Sequence, residues 1–156
     1  MLNQDYKEML QCLLQEKVRF LLVGAYAVAV YGFPRATKDI DFFVRATPEN
    51  ASNLIRALRR FGAPVTDVTE SDFASEGIVF QIGTSPRRID FLTRISGVEF
   101  EQAYANKRTV TVEGVEVPVI SVGDLIANKR ASGRLQDLAD IEKLESAVGR
   151  EGRGPG

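Results

Sequence analysis

Asp39-Ile40-Asp41-Phe42-Phe43-Val44 places two carboxylates two residues apart at the start of an apolar run. The run from Ile40 to Val44 is typical of a β-strand, in which side chains at positions i and i+2 point to the same face. We therefore expect Asp39 and Asp41 to project together, while Ile40 and Phe42 point the other way, into a core.

A third aspartate has the same setting in Arg88-Ile89-Asp90-Phe91-Leu92. Three carboxylates brought together at neutral pH repel one another, and a divalent cation is the usual way to keep them ionised. Carboxylate clusters that bind two metals about 3.5–4 Å apart recur in phosphoryl and nucleotidyl transfer. The pattern therefore predicts a metal site formed by Asp39, Asp41 and Asp90.

The segment before the aspartate pair is typical of a phosphate site. Val18 to Val23 is an apolar, strand-like run, Gly24-Ala25 ends it, and Ala25 to Tyr31 suits a short buried helix. A glycine at a strand-to-helix turn lets a phosphate approach the backbone, and the helix start offers free N–H groups. Arg35-Ala36-Thr37-Lys38 then leads into the aspartates, so a phosphate site, basic and hydroxyl groups, and metal ligands follow one another along the chain.

Val23-Gly24-Ala25, thirteen further residues and Asp39-Ile40-Asp41-Phe42 together resemble the signature of the polymerase-beta-like nucleotidyltransferase superfamily. Residues 23–29, 35–37 and 39–41 are most similar to the small bacterial minimal nucleotidyltransferases, some of which are partners in toxin–antitoxin systems. Residues 121–130 and 137–141 are similar to the end of that family. The resemblance covers roughly residues 18–145, nearly the whole chain.

The resemblance implies a role for each part of this motif. Asp39 and Asp41 would hold two magnesium (or manganese) ions, and Asp90 would bind one ion and accept the proton of the attacking hydroxyl group. One metal would activate the acceptor oxygen, and the other would bind the triphosphate and the leaving pyrophosphate. The residues expected to bind the nucleotide are Gly24, Ala25, Arg35, Thr37, Lys38 and Lys129.

Ala25 departs from the family pattern, in which this position is more often glycine or serine. Alanine has no hydroxyl group to bond a phosphate oxygen, and its Cβ restricts the backbone. Its N–H remains, so the departure bears on activity more than on the fold.

The composition limits the class of protein. The chain has 156 residues, enough for one domain with a hydrophobic core, and its net charge of −1 gives no general attraction to nucleic acid. Histidine is absent, which excludes a Ser-His-Asp triad and the usual zinc site, and the single cysteine, Cys12, cannot form an internal disulfide. With no signal peptide visible and no apolar run long enough for a membrane span, we expect a cytoplasmic protein.

The rest of the chain predicts an α/β (α+β) domain, with a mixed sheet and helices mainly on one face. Helices are expected over residues 3–16, 48–61, 97–105, 121–132 and 136–147, and hairpins over 78–92 and 108–119. The glycine-rich, polar segment 149–156 is predicted to be a disordered tail, which leaves 1–148 as a single nucleotidyltransferase-like domain.

Three functional hypotheses follow. The first is a metal-dependent nucleotidyltransferase that moves a nucleoside monophosphate from a nucleoside triphosphate to a hydroxyl group of RNA, protein or a small molecule. The second is a binding module with this fold and weak catalysis, acting as an antitoxin or regulatory partner, which Ala25 favours. The third is a metal-dependent glycosyltransferase, in which Asp-x-Asp also binds metal; the Gly24 loop and the short chain argue against it.

Overall fold

The computed structural model describes residues 2–34 and 39–152, in which seven helices and six strands form. The helices are α1 (Gln4–Gln15), α2 (Gly24–Val30), α3 (Pro48–Phe61), α4 (Glu70–Phe73), α5 (Phe100–Ala105), α6 (Val122–Ser132) and α7 (Leu135–Gly152). The strands are β1 (Phe20–Val23), β2 (Ile40–Val44), β3 (Val79–Ile82), β4 (Ile89–Leu92), β5 (Arg108–Val112) and β6 (Val115–Val119).

All six strands join one mixed sheet in the order β3-β4-β2-β1-β6-β5. Strands β2 and β4 are parallel, as are β1 and β6, while the other neighbouring pairs are antiparallel. The aspartate strand β2 therefore lies near the centre of the sheet, directly beside β4, which carries Asp90. This confirms the predicted mixed α/β architecture.

Several helix ends form where local side-chain chemistry predicts them. Helix α3 begins after Thr47, whose hydroxyl accepts a hydrogen bond from the backbone N–H of Asn50, and it ends at Gly62 in the left-handed conformation. Helix α6 is capped in the same way by Ser121 and ends at Gly133. Helix α4 was not predicted, although Thr69 and Asp72 form a reciprocal capping box at its start.

The last helix is longer than expected. Helix α7 extends to Gly152 rather than ending near residue 147, so it includes the first part of the segment predicted to be a disordered tail. A glycine inside a helix costs only about 1 kcal/mol relative to alanine, so Gly149 does not prevent the helix from continuing. Residues 153–156 lie outside the described part of the chain.

Strand alternation separates the core from the site. Ile40, Phe42, Ile89 and Phe91 are buried in the hydrophobic core, which also includes side chains of α1 and α3. The residues between them, Asp41 and Asp90, point to the opposite face because neighbouring side chains of a strand alternate. Helix α5 covers part of that opposite face, since Phe100 packs edge-to-face on Phe43.

No helix within residues 2–34 and 39–152 is both long enough and apolar enough to cross a membrane.

Candidate functional site

The centre of the site is a pair of aspartates on neighbouring strands. Asp41 of β2 and Asp90 of β4 are direct partners in the parallel register, so their side chains lie side by side on one face. Asp90 is only 6% exposed, and its carboxylate is hydrogen-bonded to the Asp41 carboxyl group. Asp39 directly precedes β2 and raises the pKa of Asp41 through its negative charge. The three predicted carboxylates therefore act on one another and are called the carboxylate cluster below.

Arg88 neutralises two members of the carboxylate cluster. Its guanidinium group binds Asp90 through Nε at 2.8 Å and Nη2 at 3.1 Å, and Nη2 also lies 3.3 Å from Oδ2 of Asp39. The backbone N–H of Arg88 donates to Asp39 at 3.1 Å, and the Ser85 hydroxyl donates to the other oxygen of Asp39 at 2.7 Å. Asp39 and Asp90 are thus held in place by charge-assisted hydrogen bonds.

Among the described residues, no basic side chain forms an ion pair with Asp41 as Arg88 does with Asp39 and Asp90, and this changes the ionisation of Asp41. Burial, the Asp90 charge, the hydrogen bond to Asp90 and the Asp39 charge together raise the pKa of Asp41 to about 7, against a smaller opposing effect of Arg88. Near neutral pH, the cluster therefore holds a proton at Asp41 that a divalent cation would displace.

The donor set fits magnesium in its chemistry. Carboxylate oxygens are the ligands that magnesium prefers, and the raised pKa of buried Asp41 beside Asp90 marks a place where a positive charge is favoured. Within the described ranges, however, no three His, Cys, Asp or Glu side chains are grouped closely enough to hold a metal ion. Because Arg88 binds both Asp39 and Asp90, a metal that uses all three carboxylates requires its guanidinium group to move.

Gly24 lies directly against Asp41. Its φ is +70°, and a Cβ placed on it would come within 2.3 Å of Oδ2 of Asp41. A side chain at position 24 is therefore excluded on two grounds, the left-handed backbone and the space that the Asp41 carboxyl group already fills. Glycine at this strand-to-helix junction is needed for the carboxylate cluster as well as for any bound phosphate.

Lys129 is part of a buried ion network between α6 and α7. Its ammonium group lies 3.0 Å from Asp140 and 3.3 Å from Asp137, and all three residues are at most 5% exposed. Burial opposes ionisation of Asp137, but hydrogen bonds from Arg134 and Ser132 and the charge of Lys129 outweigh it and lower the pKa of Asp137 to about 2. The network fixes the angle between the last two helices.

A cavity of about 920 Å³ joins these groups. It lies over the carboxylate cluster, with Gly24 and Ala25 at one side and residues of β3 and β4 at the other, and α6 and α7 close it. The predicted site residues within the described chain all line it: Gly24, Ala25, Asp39, Asp41, Asp90 and Lys129. Arg35, Thr37 and Lys38 lie outside the described residues.

Sequence reasoning missed several residues of this site. Arg88 is one of them, although its position two residues before Asp90 predicts that the two side chains lie on one face of the strand. Asp137 and Asp140 were given no role, yet they recur with Ile141 and Leu144 at helical spacing, and all four side chains are buried on one face of α7. Ser85 gave no signal, because its contact with Asp39 depends on the path of the β3–β4 loop.

Comparison with known proteins agrees with this geometry. Residues 2–153 match the model of a family described as nucleotidyl transferase of unknown function, DUF2204. The chain belongs to this family of nucleotidyl transferases. No curated protein matches its sequence.

Solved structures show the same fold at low identity. A Thermotoga maritima protein classed as a nucleotidyltransferase is 18% identical, with a TM-score of 0.58 and 96% of each chain covered. The lincosamide antibiotic adenylyltransferase LnuA, solved with lincomycin bound, is 14% identical, with a TM-score of 0.56, 94% of this chain and 98% of LnuA covered. An antigenic nucleotidyltransferase-like protein from Paracoccidioides brasiliensis is 15% identical, with a TM-score of 0.55, 92% of this chain and 74% of its own covered. The chain has a nucleotidyltransferase fold.

Proposed function

We propose that this nucleotidyl transferase moves a nucleoside monophosphate from a nucleoside triphosphate to a hydroxyl acceptor, with metal assistance. The observation that carries the proposal is the pairing of Asp41 and Asp90 across two parallel strands, beside Gly24 and within one cavity. Buried like charges are costly, and a cluster of this kind favours a site whose ligand brings positive charge.

In this proposal, different residues of the cavity bind the nucleotide and accept the proton. Gly24 and Ala25 offer backbone close to the Asp41 side of the cavity, where the triphosphate would lie, and Arg134 supplies an exposed cation on the same cavity wall. Asp90 is the base in this proposal, because its carboxylate lines the cavity beside Asp41 and can accept a proton once Arg88 releases it. Lys129 lines the cavity, but its charge is already balanced by Asp137 and Asp140, so its part in this proposal is to hold α6 and α7 at the cavity.

Asp39, Asp41 and Asp90 would hold magnesium or manganese. The bound metal would supply charge neutralisation for the phosphates and the developing oxyanions. Asp39 and Asp41 flank the position where such charge is needed, and Asp90 joins them when Arg88 releases it.

A transfer assay with an extract as the source of acceptors tests the proposal. The protein is incubated with magnesium, each nucleoside triphosphate labelled at the α-phosphorus, and a cell extract that is then separated into RNA, protein and small molecules. Wild type should label one fraction, and Asp41→Asn should lose at least 100-fold of that labelling, a loss typical of removing an essential electrostatic group. Asp67→Asn, a change at an exposed aspartate, serves as the control. Equal labelling by wild type and Asp41→Asn would refute the proposal.

A second candidate is a binding module that no longer transfers nucleotides. Arg88 already neutralises Asp39 and Asp90, so the carboxylate cluster can persist in this fold without a metal, and Ala25 offers no hydroxyl to a phosphate. Such a module would act as an antitoxin or regulatory partner of another protein. In the assay, a binding module would label none of the fractions and would form a stable complex with one protein of the extract.

A further inference from the structure

The side of the cavity beyond Asp90 differs in character from the side at Gly24. Val79 of β3 and Leu92 of β4 are direct partners in the antiparallel register, and alternation puts them on the same face as Asp90. Val79 is 55% exposed although it is apolar, and Leu92 and Ile95 are half-buried beside it. All three line the cavity, and together they are called the apolar shelf.

The walls of the apolar shelf are fixed by α6. The side-chain amide of Asn128 donates to the carbonyl oxygen of Ser96 at 2.9 Å. At Gly97, a Cβ would come within 2.7 Å of the Ala131 side chain and 3.1 Å of the Ala127 carbonyl oxygen, so the loop after Ile95 packs tightly on α6. The shelf is therefore a formed surface with a closed end, and β3, as the edge strand, leaves its other end open.

We propose that the apolar shelf binds the acceptor, and that the acceptor is a small uncharged molecule with a hydroxyl group and an aliphatic face. This inference rests on the function proposed above and names the class of its second substrate. In an in-line displacement, the attacking and leaving oxygens lie on opposite sides of the phosphorus. With the triphosphate at Gly24 and β1, the order β1, β2, β4, β3 puts the acceptor over β4 and β3, where the shelf lies.

In the proposed transfer step, Asp90 is the proton acceptor and pyrophosphate is the leaving group. The acceptor O–H gives its proton to the Asp90 carboxylate, and the acceptor oxygen forms a bond to the α-phosphorus. The bond from the α-phosphorus to the oxygen bridging it to the β-phosphate breaks, and pyrophosphate leaves with that electron pair. The product is the acceptor carrying the nucleoside monophosphate through a phosphodiester.

The lining of the apolar shelf favours a small molecule over an RNA end. RNA sites combine a basic groove with aromatic side chains on which bases stack. Of the four basic side chains among the described residues that line the cavity, Arg88, Lys129 and Arg134 are paired with carboxylates, and no described lining residue is aromatic. The cavity volume of about 920 Å³ also lies within the range of small-molecule sites, roughly 300–1,000 Å³.

A series of alkyl glucosides, from methyl to hexyl, tests the inference by calorimetric titration, because the hydroxyl groups stay constant while the aliphatic part lengthens. The affinity of the wild type should rise about two- to fourfold per added methylene group. Val79→Asn keeps the size of the side chain and removes its apolar character, and it should weaken hexyl glucoside binding about tenfold. Thr109→Asn, on the edge strand at the other end of the sheet, is the matched control and should behave as wild type. Circular dichroism checks that both variants are folded.

The same titrations separate this inference from the proposed function. An affinity that does not change along the series, or equal losses in Val79→Asn and Thr109→Asn, would overturn the apolar shelf as the acceptor site. A control titration of wild type with magnesium and nucleoside triphosphates reports on the proposed function independently. Nucleotide binding with a flat glucoside series refutes only the shelf, whereas a rising series without nucleotide binding keeps the shelf as a ligand site and refutes the transferase.

Discussion

Gly24 and Asp41 compete for the same space, so a single methyl group at position 24 should disturb the whole site. In Gly24→Ala, the new Cβ would clash with Oδ2 of Asp41. The alanine would also have to keep the left-handed backbone of Gly24, which costs about 1–2 kcal/mol for a residue with a side chain. Gly62→Ala is the matched control, because Gly62 also has a positive φ but has open space around it.

We expect Gly24→Ala to lose more stability in urea than Gly62→Ala, by the cost of displacing the Asp41 carboxyl group. Gly24→Ala should also abolish any stabilisation by magnesium and nucleotide, which Gly62→Ala should retain. Equal losses in the two variants would show that Asp41 moves aside freely and that Gly24 matters only for its backbone.

The raised pKa of Asp41 predicts a pH dependence of stability. The ordinary pKa of about 3.8 applies to the unfolded chain and about 7 to the folded protein, so between these values the folded state keeps a proton that the unfolded state has lost. The contribution of Asp41 to the free energy of unfolding therefore falls as the pH rises from about 4 to 7, by an amount on the order of a few kcal/mol.

Urea unfolding across this pH range measures the effect. Asp41→Asn should flatten the decline, since asparagine does not ionise, whereas the exposed Asp67→Asn should leave it unchanged. A decline that persists in Asp41→Asn would place its origin elsewhere. The lowered pKa of Asp137 does not interfere, because its stabilising contribution is lost only as the pH falls from about 4 to about 2.

At the scale of elements, the packing of α6 on α7 depends on one buried lysine. Lys129→Met would remove the buried cation that Asp137 and Asp140 share, and removing one partner of a buried ion pair typically costs about 3–5 kcal/mol. Arg130→Met, at the next position of α6, removes an exposed pair with Glu145 that is worth about 0–1 kcal/mol.

Thermal unfolding of the two variants should therefore differ by several degrees, with Lys129→Met the less stable. Equal melting temperatures of the two variants would show that Lys129 does not stabilise the packing of α6 on α7.

Elements with local signals could be predicted closely from the sequence. Thr47, Pro48 and Gly62 mark both ends of α3, and Glu113-Gly114 marks the turn between β5 and β6, where Glu113 has a positive φ. Contacts between residues that are far apart in the sequence are harder to predict from the sequence. Asp39, Asp41 and Asp90 line one cavity, but no local pattern shows that Arg88 lies between two of them.

Lys129 illustrates the same limit. Its place near the cavity follows from the family resemblance, whereas its burial against Asp137 and Asp140 depends on how α7 folds back on α6. The composition of residues 149–152 alone predicts a disordered tail, whereas in the structure these residues continue the helix that precedes them.

At the scale of the whole molecule, a six-stranded sheet brings five segments to one cavity: the β1–α2 junction, β2, β3, β4 and the α6–α7 pair. We propose that this cavity binds a nucleoside triphosphate with a divalent metal. Thermal unfolding of wild type and Asp41→Ala, with each nucleoside triphosphate in the presence and absence of magnesium, tests it most directly.

A ligand at 100 times its dissociation constant stabilises a protein by about 2.7 kcal/mol, which gives a readily measured shift in melting temperature. We expect a shift that requires both magnesium and one of the nucleotides in the wild type and that is absent in Asp41→Ala. A wild type whose melting temperature is unchanged by all four nucleotides with magnesium, or an equal shift in Asp41→Ala, would contradict the claim.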